Sequence, residues 1–420
     1  MKGFEAALTW LGLFRAAEAL SLTPRPFLAL LRDAPLTVFS TGGCRHCVRA
    51  KRALDAADVA YATVDVGEDA SARQQLEEHV GLGFTVPQVF LGERRIGGAD
   101  DLEAAMQDGS FARLIEGLDL TAYAGLASKR PQTAAAQFDV AALRRPGSPL
   151  NVLCADAAAL LRGVEAADAD ADISRGLQRQ CLKLLDAHVT DSGVDYDALR
   201  TSAQMASFVA ATQGLAQLDD AACLKLDDAF WINTYNALVM HAQVVVGMGA
   251  TPAERTAFFS GETGATYRIG GFDLSLDAME HGVLRRSPTG DARAFGAGDL
   301  RRAKFLRATQ RDARIHFALN CGAKSCPPVK LFAAATLDRD LAAAAAAFVS
   351  AECKVDGDTV TLSKLFLWYG ADFGAGEFAV LGALAKFVPG TPLAAAIFSA
   401  AAAPGCKVEY ADYDWGRNDA

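Results

Sequence analysis

The sequence predicts an α/β domain near the N-terminus joined to a larger, mainly helical α+β domain. Three observations carry this. Between residues 34 and 118 short apolar and β-branched runs alternate with helix-forming runs in the order β-α-β-α-β-β-α, the pattern of a compact α/β unit. Loop formers then cluster in Lys129-Arg130-Pro131, Gln132-Thr133 and Arg144-Arg145-Pro146-Gly147-Ser148-Pro149, which read as a connector. From about Leu177 helix formers dominate, most plainly in Ala342–Ala347. A chain of 420 residues holds two or three domains at about 100–200 residues each.

The elements follow in order. Residues 1–33 read as an N-terminal extension whose apolar stretch, Ala6 to Phe14 apart from Thr9, packs as an amphipathic helix through Trp10, Leu13 and Phe14. A signal or transit peptide is the competing reading, though the only basic start is Lys2 and no clear cleavage site follows. Leu36–Ser40 is a short buried strand, Arg45–Ala57 a helix, Tyr61–Val66 a second strand and Ser71–Val80 a second helix. Gln88–Leu91 and Arg94–Ile96 form a hairpin about Gly92-Glu93, and Asp100–Met106 begins a closing helix. A linker over 119–165 separates this domain from the second, 166–420, in which Ala166–Asp172 is polar. Tyr267-Arg268-Ile269 and Phe272-Asp273-Leu274 form a hairpin on a Gly270-Gly271 turn. Asp277–Arg285 follows as a helix with Ser275 as its cap, and Arg314–Leu319 reads as a strand.

Composition excludes several classes. A formal net charge of −9 argues against nucleic acid or an anionic membrane as main partner. No apolar run approaches the ~18–20 residues needed to span a bilayer. Nine irregularly spread cysteines are too few for a disulfide scaffold, and an odd number cannot all pair within one chain. A reducing compartment, the cytoplasm, fits best, with organelle targeting by the N-terminus left open.

Cys44-Arg45-His46-Cys47 follows a strand through Thr41-Gly42-Gly43 and opens a helix. Free amides and the positive helix end there stabilise a thiolate at Cys44. Arg45, Arg49, Lys51 and Arg52 add positive charge in an otherwise acidic segment. Cys47 lies close enough to attack a mixed disulfide formed on Cys44. Thr85-Val86-Pro87 places a proline at a strand start, a candidate cis peptide where backbone faces a ligand. Gly97-Gly98-Ala99-Asp100-Asp101-Leu102 offers backbone amides to a carboxylate and the Asp100 side chain to an ammonium. A zinc half-site of Cys44, His46 and Cys47 lacks the fourth ligand that zinc wants.

These three motifs, in this order, make Leu36 to Leu118 resemble a glutaredoxin. The resemblance implies a thioredoxin-like fold and reduction of disulfides or removal of glutathione from protein thiols. It implies Cys44 as nucleophile and Cys47 as resolving thiol. Thr41, Arg45, Thr85, Val86, Pro87, Gly98, Ala99 and Asp100 would bind glutathione, a co-substrate, with Val86 on its backbone and Ala99 and Asp100 at its γ-glutamyl end. Two positions depart from the family pattern. Many glutaredoxins carry lysine where Thr41 stands, and Pro-Tyr between the cysteines is here Arg-His. Arg45 is a candidate to replace the missing charge, and loss of the proline leaves iron–sulfur bridging between two chains open.

In the second domain, Trp231, Tyr235 and Leu238 share one helix face and Asn233 and Asn236 lie on another, which reads chiefly as core packing with hydrogen-bonded asparagines. Glu280-His281 sets an acid beside a histidine. The densest constellation runs from His316 through Asn320-Cys321-Gly322 to Cys326-Pro327-Pro328. With Leu367-Trp368-Tyr369 and Tyr413-Asp414-Trp415, these strings resemble the "domain of unknown function 547" family over roughly 177–420, a family that implies no activity. Four readings stand. Cys321 is a nucleophile with His281 as base and Asn320 or Glu280 as orienter. Cys321 and Cys326 form a reversible disulfide serviced by the first domain. Cys321, Cys326, His281 and His316 hold a metal. Or the pair is structural. His79, His188 and His241 read as surface or core residues, and Cys154, Cys181, Cys223, Cys353 and Cys406 as inert thiols.

The expected activity is therefore glutathione-dependent thiol–disulfide exchange at Cys44, with no resident metal. Expected partners are glutathione and glutathionylated or disulfide-containing proteins, the chain's own second domain among them. The competing classes are a cysteine-dependent hydrolase or transferase in the second domain, kept reduced by the first, and a redox-controlled interaction scaffold.

Overall fold

The computed structural model describes residue 31 and residues 36–67, 69–81, 83–118, 139–161, 172–190, 193–287, 293–306 and 311–417. The N-terminal extension apart from Leu31, the first half of the expected linker and most of Ala166–Asp172 lie outside the described residues.

The first domain follows the expected order. Strand β1 (Leu36–Ser40) is buried along its whole length, as a central strand of continuous apolar character requires. It pairs in parallel with β2 (Ala62–Asp65) and antiparallel with β3 (Gln88–Leu91), which pairs with β4 (Arg94–Gly97) to give the sheet order β2-β1-β3-β4. Helices α1 (Arg45–Ala56), α2 (Ala70–Val80), α3 (Ala99–Gln107) and the short α4 (Ser110–Ile115) complete it. One sheet face carries Leu36, Val38 and Val89 against Ala50, Leu54 and Leu102, and the other carries Phe39 and Phe90 against Leu76. Burying each such large side chain contributes roughly 1.5–3 kcal/mol.

The second domain is built on α5 (Ile173–His188), α6 (Ala203–Ala216) and α7 (Asp228–Val245), with α7 almost entirely enclosed. Val140, Leu143 and Leu150 are buried in this core, so the expected linker is corrected: its second half packs as part of the second domain. The predicted hairpin is present as β5 (Thr266–Ile269) and β6 (Phe272–Ser275), and Gly270 and Gly271 both take positive φ, which a two-residue turn of this hand demands. The helix after it is a π-helix, Ala278–Leu284, and Ser275 Oγ accepts from the Ala278 N–H as the expected cap. Arg314–Leu319 is not a strand. Ala313–Phe317 is a 3₁₀-helix capped by Asp312, whose carboxylate accepts the Arg314 N–H and so closes a tight turn where β-branched content alone favoured extension. A second core lies between α8 (Leu337–Glu352), α9 (Glu377–Phe387), α10 (Pro392–Ala402) and a three-stranded sheet of β7 (Lys354–Asp356), β8 (Thr359–Leu362) and β9 (Lys407–Tyr410).

The two domains meet at the start of α1. A Cβ on Gly42 would stand 3.0 Å from the Leu182 carbonyl oxygen, so glycine is what lets this loop touch α5. Val48 is buried in the second domain's core, and Arg73 faces Asp340 of α8 at 3.6 Å.

Candidate functional site

The first site forms where a strand ends and a helix begins. Cys44 is the N-cap of α1, and its Sγ accepts the Cys47 backbone N–H at 3.1 Å. The helix thereby directs unpaired amides and its positive end at that sulfur. Cys44 and Cys47 are disulfide-bonded, with Cα atoms 5.2 Å apart. Cys44 is half-buried and Cys47 buried, so the outer sulfur is the one open to attack.

The other two motifs converge here. Val86–Pro87 is a cis peptide bond, and the Val86 carbonyl oxygen lies 3.6 Å from Cys44 Sγ. Arg49 on α1 pairs with Asp100 and, at 2.8 Å, with Glu103, which ties the Gly-Gly-Ala-Asp turn to the cysteine helix. Asp101 accepts the Gly98 N–H at 2.8 Å and fixes that turn. Arg45 and Thr85 are exposed, and the Arg45 Nε lies 3.4 Å from His46 Nε2. Burial, then Arg45 and Arg49, hold the His46 imidazole below its usual value. At the Thr41 end a notch of about 50 Å³ is closed from the second domain by Lys330 and Leu331. Burial, then Arg73, brings the Lys330 ammonium down to about 8. Nothing in the sequence marks Lys330, which lies far along the chain.

The second site is a cavity of about 430 Å³ in the second domain, with Cys321 and Cys326 in its wall. The two are disulfide-bonded, with Cα atoms 6.2 Å apart. The Cys321 N–H donates to Cys326 Sγ at 3.0 Å, and the Tyr413 hydroxyl touches both sulfurs, at 3.2 Å for Cys326 and 3.4 Å for Cys321. Glu280 and His281, both buried on the π-helix, face the same cavity. Tyr235 donates to Glu280 at 3.3 Å, and burial followed by Glu280 pushes the Tyr235 phenol well up.

Several expected roles change. The Asn320 side chain donates to the Pro327 carbonyl at 2.6 Å and accepts the Gly322 N–H at 2.8 Å, so it braces the cysteine loop and orients no base. His281 Nδ1 lies 2.5 Å from Arg285, and its Nε2 faces Asp277 and Glu280. The two sulfurs are bonded to each other, and among the described residues no cluster of three or more His, Cys, Asp or Glu is arranged to hold a metal. The carboxylate that anchors the cavity is Asp372. It accepts from His316 Nε2 at 2.8 Å and from Arg285 and Arg311 at 2.7 Å each. Burial alone would raise its pKa; the bonds from His316 and Arg285 win and hold it far below the usual carboxylate range. Asp372 sits on a one-turn helix, Gly370–Phe373, with no local signal of its partners.

The remaining candidates behave as core or surface groups. Asn233 exchanges two hydrogen bonds with the Phe332 backbone, and Asn236 bonds Ala318 and Asn320. His241 Nδ1 lies 3.0 Å from the Tyr267 hydroxyl, and burial lowers its imidazole to about 3. His188 is buried and His79 exposed. Cys181, Cys223 and Cys353 are buried thiols, whereas Cys154 and Cys406 are half-exposed. No helix among the described residues is long and apolar enough to cross a membrane.

Comparison with known proteins finds matches in two separate stretches of the chain. Residues 36–96 match the family described as Glutaredoxin, and residues 225–349 the family described as "Protein of unknown function, DUF547". A glutaredoxin of Haemophilus influenzae is 37% identical over 79 residues, covering 17% of this chain and 91% of that protein. One from Pseudomonas aeruginosa is 32% identical over 81 residues, 19% of this chain and 95% of its own. The solution structure of reduced glutaredoxin C1 from Populus tremula x tremuloides is 31% identical, covers 24% of this chain and 87% of that one, and has a TM-score of 0.21. The chain thus belongs to the glutaredoxin family through its thioredoxin-like N-terminal domain, and carries a DUF547 domain in the same polypeptide.

Proposed function

We propose that this protein is a glutathione-dependent thiol–disulfide oxidoreductase acting through Cys44. The observation that carries the reading is the convergence on one sulfur: Cys44 caps α1, accepts the Cys47 amide, and lies against Val86 beside the cis proline. Membership of the glutaredoxin family supports thiol exchange over about a fifth of the chain.

In the reaction the Cys44 thiolate attacks the glutathione sulfur of a protein mixed disulfide. The protein leaves as a thiol, and glutathione remains disulfide-bonded to Cys44. A second glutathione, as thiolate, then attacks that bond to give oxidised glutathione and free Cys44; alternatively the Cys47 thiolate attacks the Cys44 sulfur, closes the intramolecular disulfide and releases glutathione as its thiolate. The tripeptide lies along the Val86 backbone with Thr85 and Pro87 beside it, its γ-glutamyl end on the Gly98-Ala99-Asp100 turn. Thr41 brings no charge to the opposite end, where Lys330 and Arg73 are the nearby cations for a carboxylate. Free, half-buried thiols elsewhere in the chain favour a reducing compartment, the cytoplasm.

Full-length protein is assayed for release of glutathione from a glutathionylated peptide. Cys44→Ser reduces turnover to background; retained turnover overturns the reading. Cys47→Ser retains the glutathione step and accumulates a mixed disulfide on Cys44, visible as added mass on that peptide alone.

A further inference from the structure

The second cavity holds a cysteine pair that the first domain's reaction does not use. Its sulfurs have the same kind of amide contact as the first site. There the Cys47 N–H points at Cys44, and here the Cys321 N–H points at Cys326. An amide directed at a sulfur favours its thiolate once the disulfide opens, because a charged acceptor makes the stronger hydrogen bond. The Tyr413 hydroxyl supplies a second donor, and it is nearer Cys326 than Cys321. Burial, then Glu280 and Glu352, raise the Tyr413 phenol above its ordinary value, so it stays protonated and able to donate. Two donors on one sulfur separate the roles of the pair.

We infer that the cavity is a second thiol–disulfide site, in which Cys326 is the attacking thiolate and Cys321 the resolving thiol, acting on organic disulfides of small-molecule size. The size follows from the cavity: about 430 Å³ admits a molecule of a few hundred daltons and not a folded protein surface. Its apolar side is a cluster of Trp368, Tyr413 and Trp415, with ring centroids 4.8–5.5 Å apart, and Trp368 is 43% exposed at the mouth. Arg255 lies over the Trp415 ring at 5.0 Å. An aromatic disulfide bearing an anionic group meets both features.

The exchange balances within the pair. Cys326 thiolate attacks one sulfur of R–S–S–R, forming a mixed disulfide and releasing one RS⁻. Cys321, giving its proton to solvent, attacks the Cys326 sulfur, restores the Cys321–Cys326 disulfide and releases the second RS⁻. The substrate is reduced by two electrons and the cysteine pair oxidised by two. A dithiol or two monothiols return those electrons, the class of reductant present in Cys44 and Cys47.

The test uses the full chain with Cys44→Ser and Cys47→Ser, so it succeeds or fails independently of the first site's reading. The protein is reduced, desalted and mixed with the disulfide of thionitrobenzoate. The expected result is a fast phase releasing two thionitrobenzoates per chain, with peptide mapping showing a Cys321–Cys326 disulfide. Adding Cys321→Ser stops the fast phase at one equivalent with the aryl thiol on Cys326. Tyr413→Phe slows the fast phase about tenfold at pH 6, the loss of one hydrogen bond to a charged acceptor, and the difference closes at pH 9. A fast phase that survives Cys326→Ser, aryl thiol on Cys321 first, or reaction confined to Cys154 and Cys406 overturns the proposal. So does a Tyr413→Phe rate unchanged at every pH.

Discussion

The two cysteine pairs differ less in their bonds than in their surroundings. In each, one sulfur accepts the backbone amide of its partner cysteine, at 3.1 Å in the first pair and 3.0 Å in the second. The first sulfur gets its electrostatics from a strand-to-helix turn, a few consecutive residues with arginines on the next turn. The second gets them from Tyr413, which lies 92 residues from Cys321. Beneath it is a buried charge network in which Asp372 meets His316, Arg285 and Arg311. A thiolate can be stabilised by local chain geometry or by tertiary enclosure. The first is robust to the rest of the fold, and the second stands or falls with its domain.

The strongest way to break that contrast is Asp372→Ala. Three cationic or hydrogen-bonding partners lose their acceptor in a buried position, a destabilisation of about 3–5 kcal/mol. Urea unfolding followed by tryptophan fluorescence should show an early transition, because Trp231, Trp368 and Trp415 all lie in the second domain. Turnover of a glutathionylated peptide at Cys44 should persist in urea beyond that transition. Loss of both together would show that the first site also depends on tertiary enclosure.

Acid should separate the domains next. His241 is buried and held to about 3, below the ordinary 6.5 of the free side chain. The unfolded chain therefore binds a proton that the folded one refuses, and the sign follows. This stability is complete above pH 6.5 and is lost progressively as pH falls toward 3, on the order of a few kcal/mol in all. Asp372, held low by His316 and Arg285, adds a loss in the same direction: its contribution is present above the ordinary carboxylate range and falls below it. Replacing His241 by glutamine should flatten the decline between pH 6 and 4 in a thermal-melt series. An unchanged slope would place the acid sensitivity elsewhere.

A smaller effect is expected at Asn320. Asn320→Ala removes two hydrogen bonds that brace the cysteine loop, to Pro327 and Gly322, at a cost of about 1–3 kcal/mol. The Cys321–Cys326 disulfide should then be reduced faster by dithiothreitol, followed by mass shift after alkylation, while the rate at Cys44–Cys47 stays as it was.

How much of this could be read in the sequence follows the same division. The first domain's elements fall within a residue or two of where the alternation places them, because each strand and cap is signalled by its own neighbours: Cys44 before Arg45, Asp69 before Ala70, Gly98 before Ala99. The hairpin at Gly270-Gly271 is legible for the same reason. Ala313–Phe317 is not, since Asp312 capping a tight turn outweighs the β-like content of Ile315 and Phe317. Val140, Leu143 and Leu150 lie among breakers and still join the core, because burial is decided by what folds against them. Asp372, Tyr413 and Lys330 reach their sites only through tertiary folding, which no local pattern encodes.

The finest test lies within the first site, where two cations compete to explain how it manages with Thr41. Arg45 is exposed at the first turn of α1, so its field at Cys44 is screened by water. An exposed pair of this kind contributes about 0.2–1 kcal/mol. Arg45→Ala should raise the Cys44 pKa by less than about one unit, read from the pH profile of iodoacetamide alkylation. Lys330 stands at the far end of the groove, where burial has lowered it to about 8, so it keeps its charge at neutral pH and an anion docked there strengthens that charge. Lys330→Gln should therefore leave the alkylation profile alone and raise the KM for glutathione several-fold, with Thr41→Lys in the same chain restoring it. If the two variants exchange phenotypes, the charge that tunes the thiol comes from the second domain, and even the more local of the two sites is completed by tertiary contact.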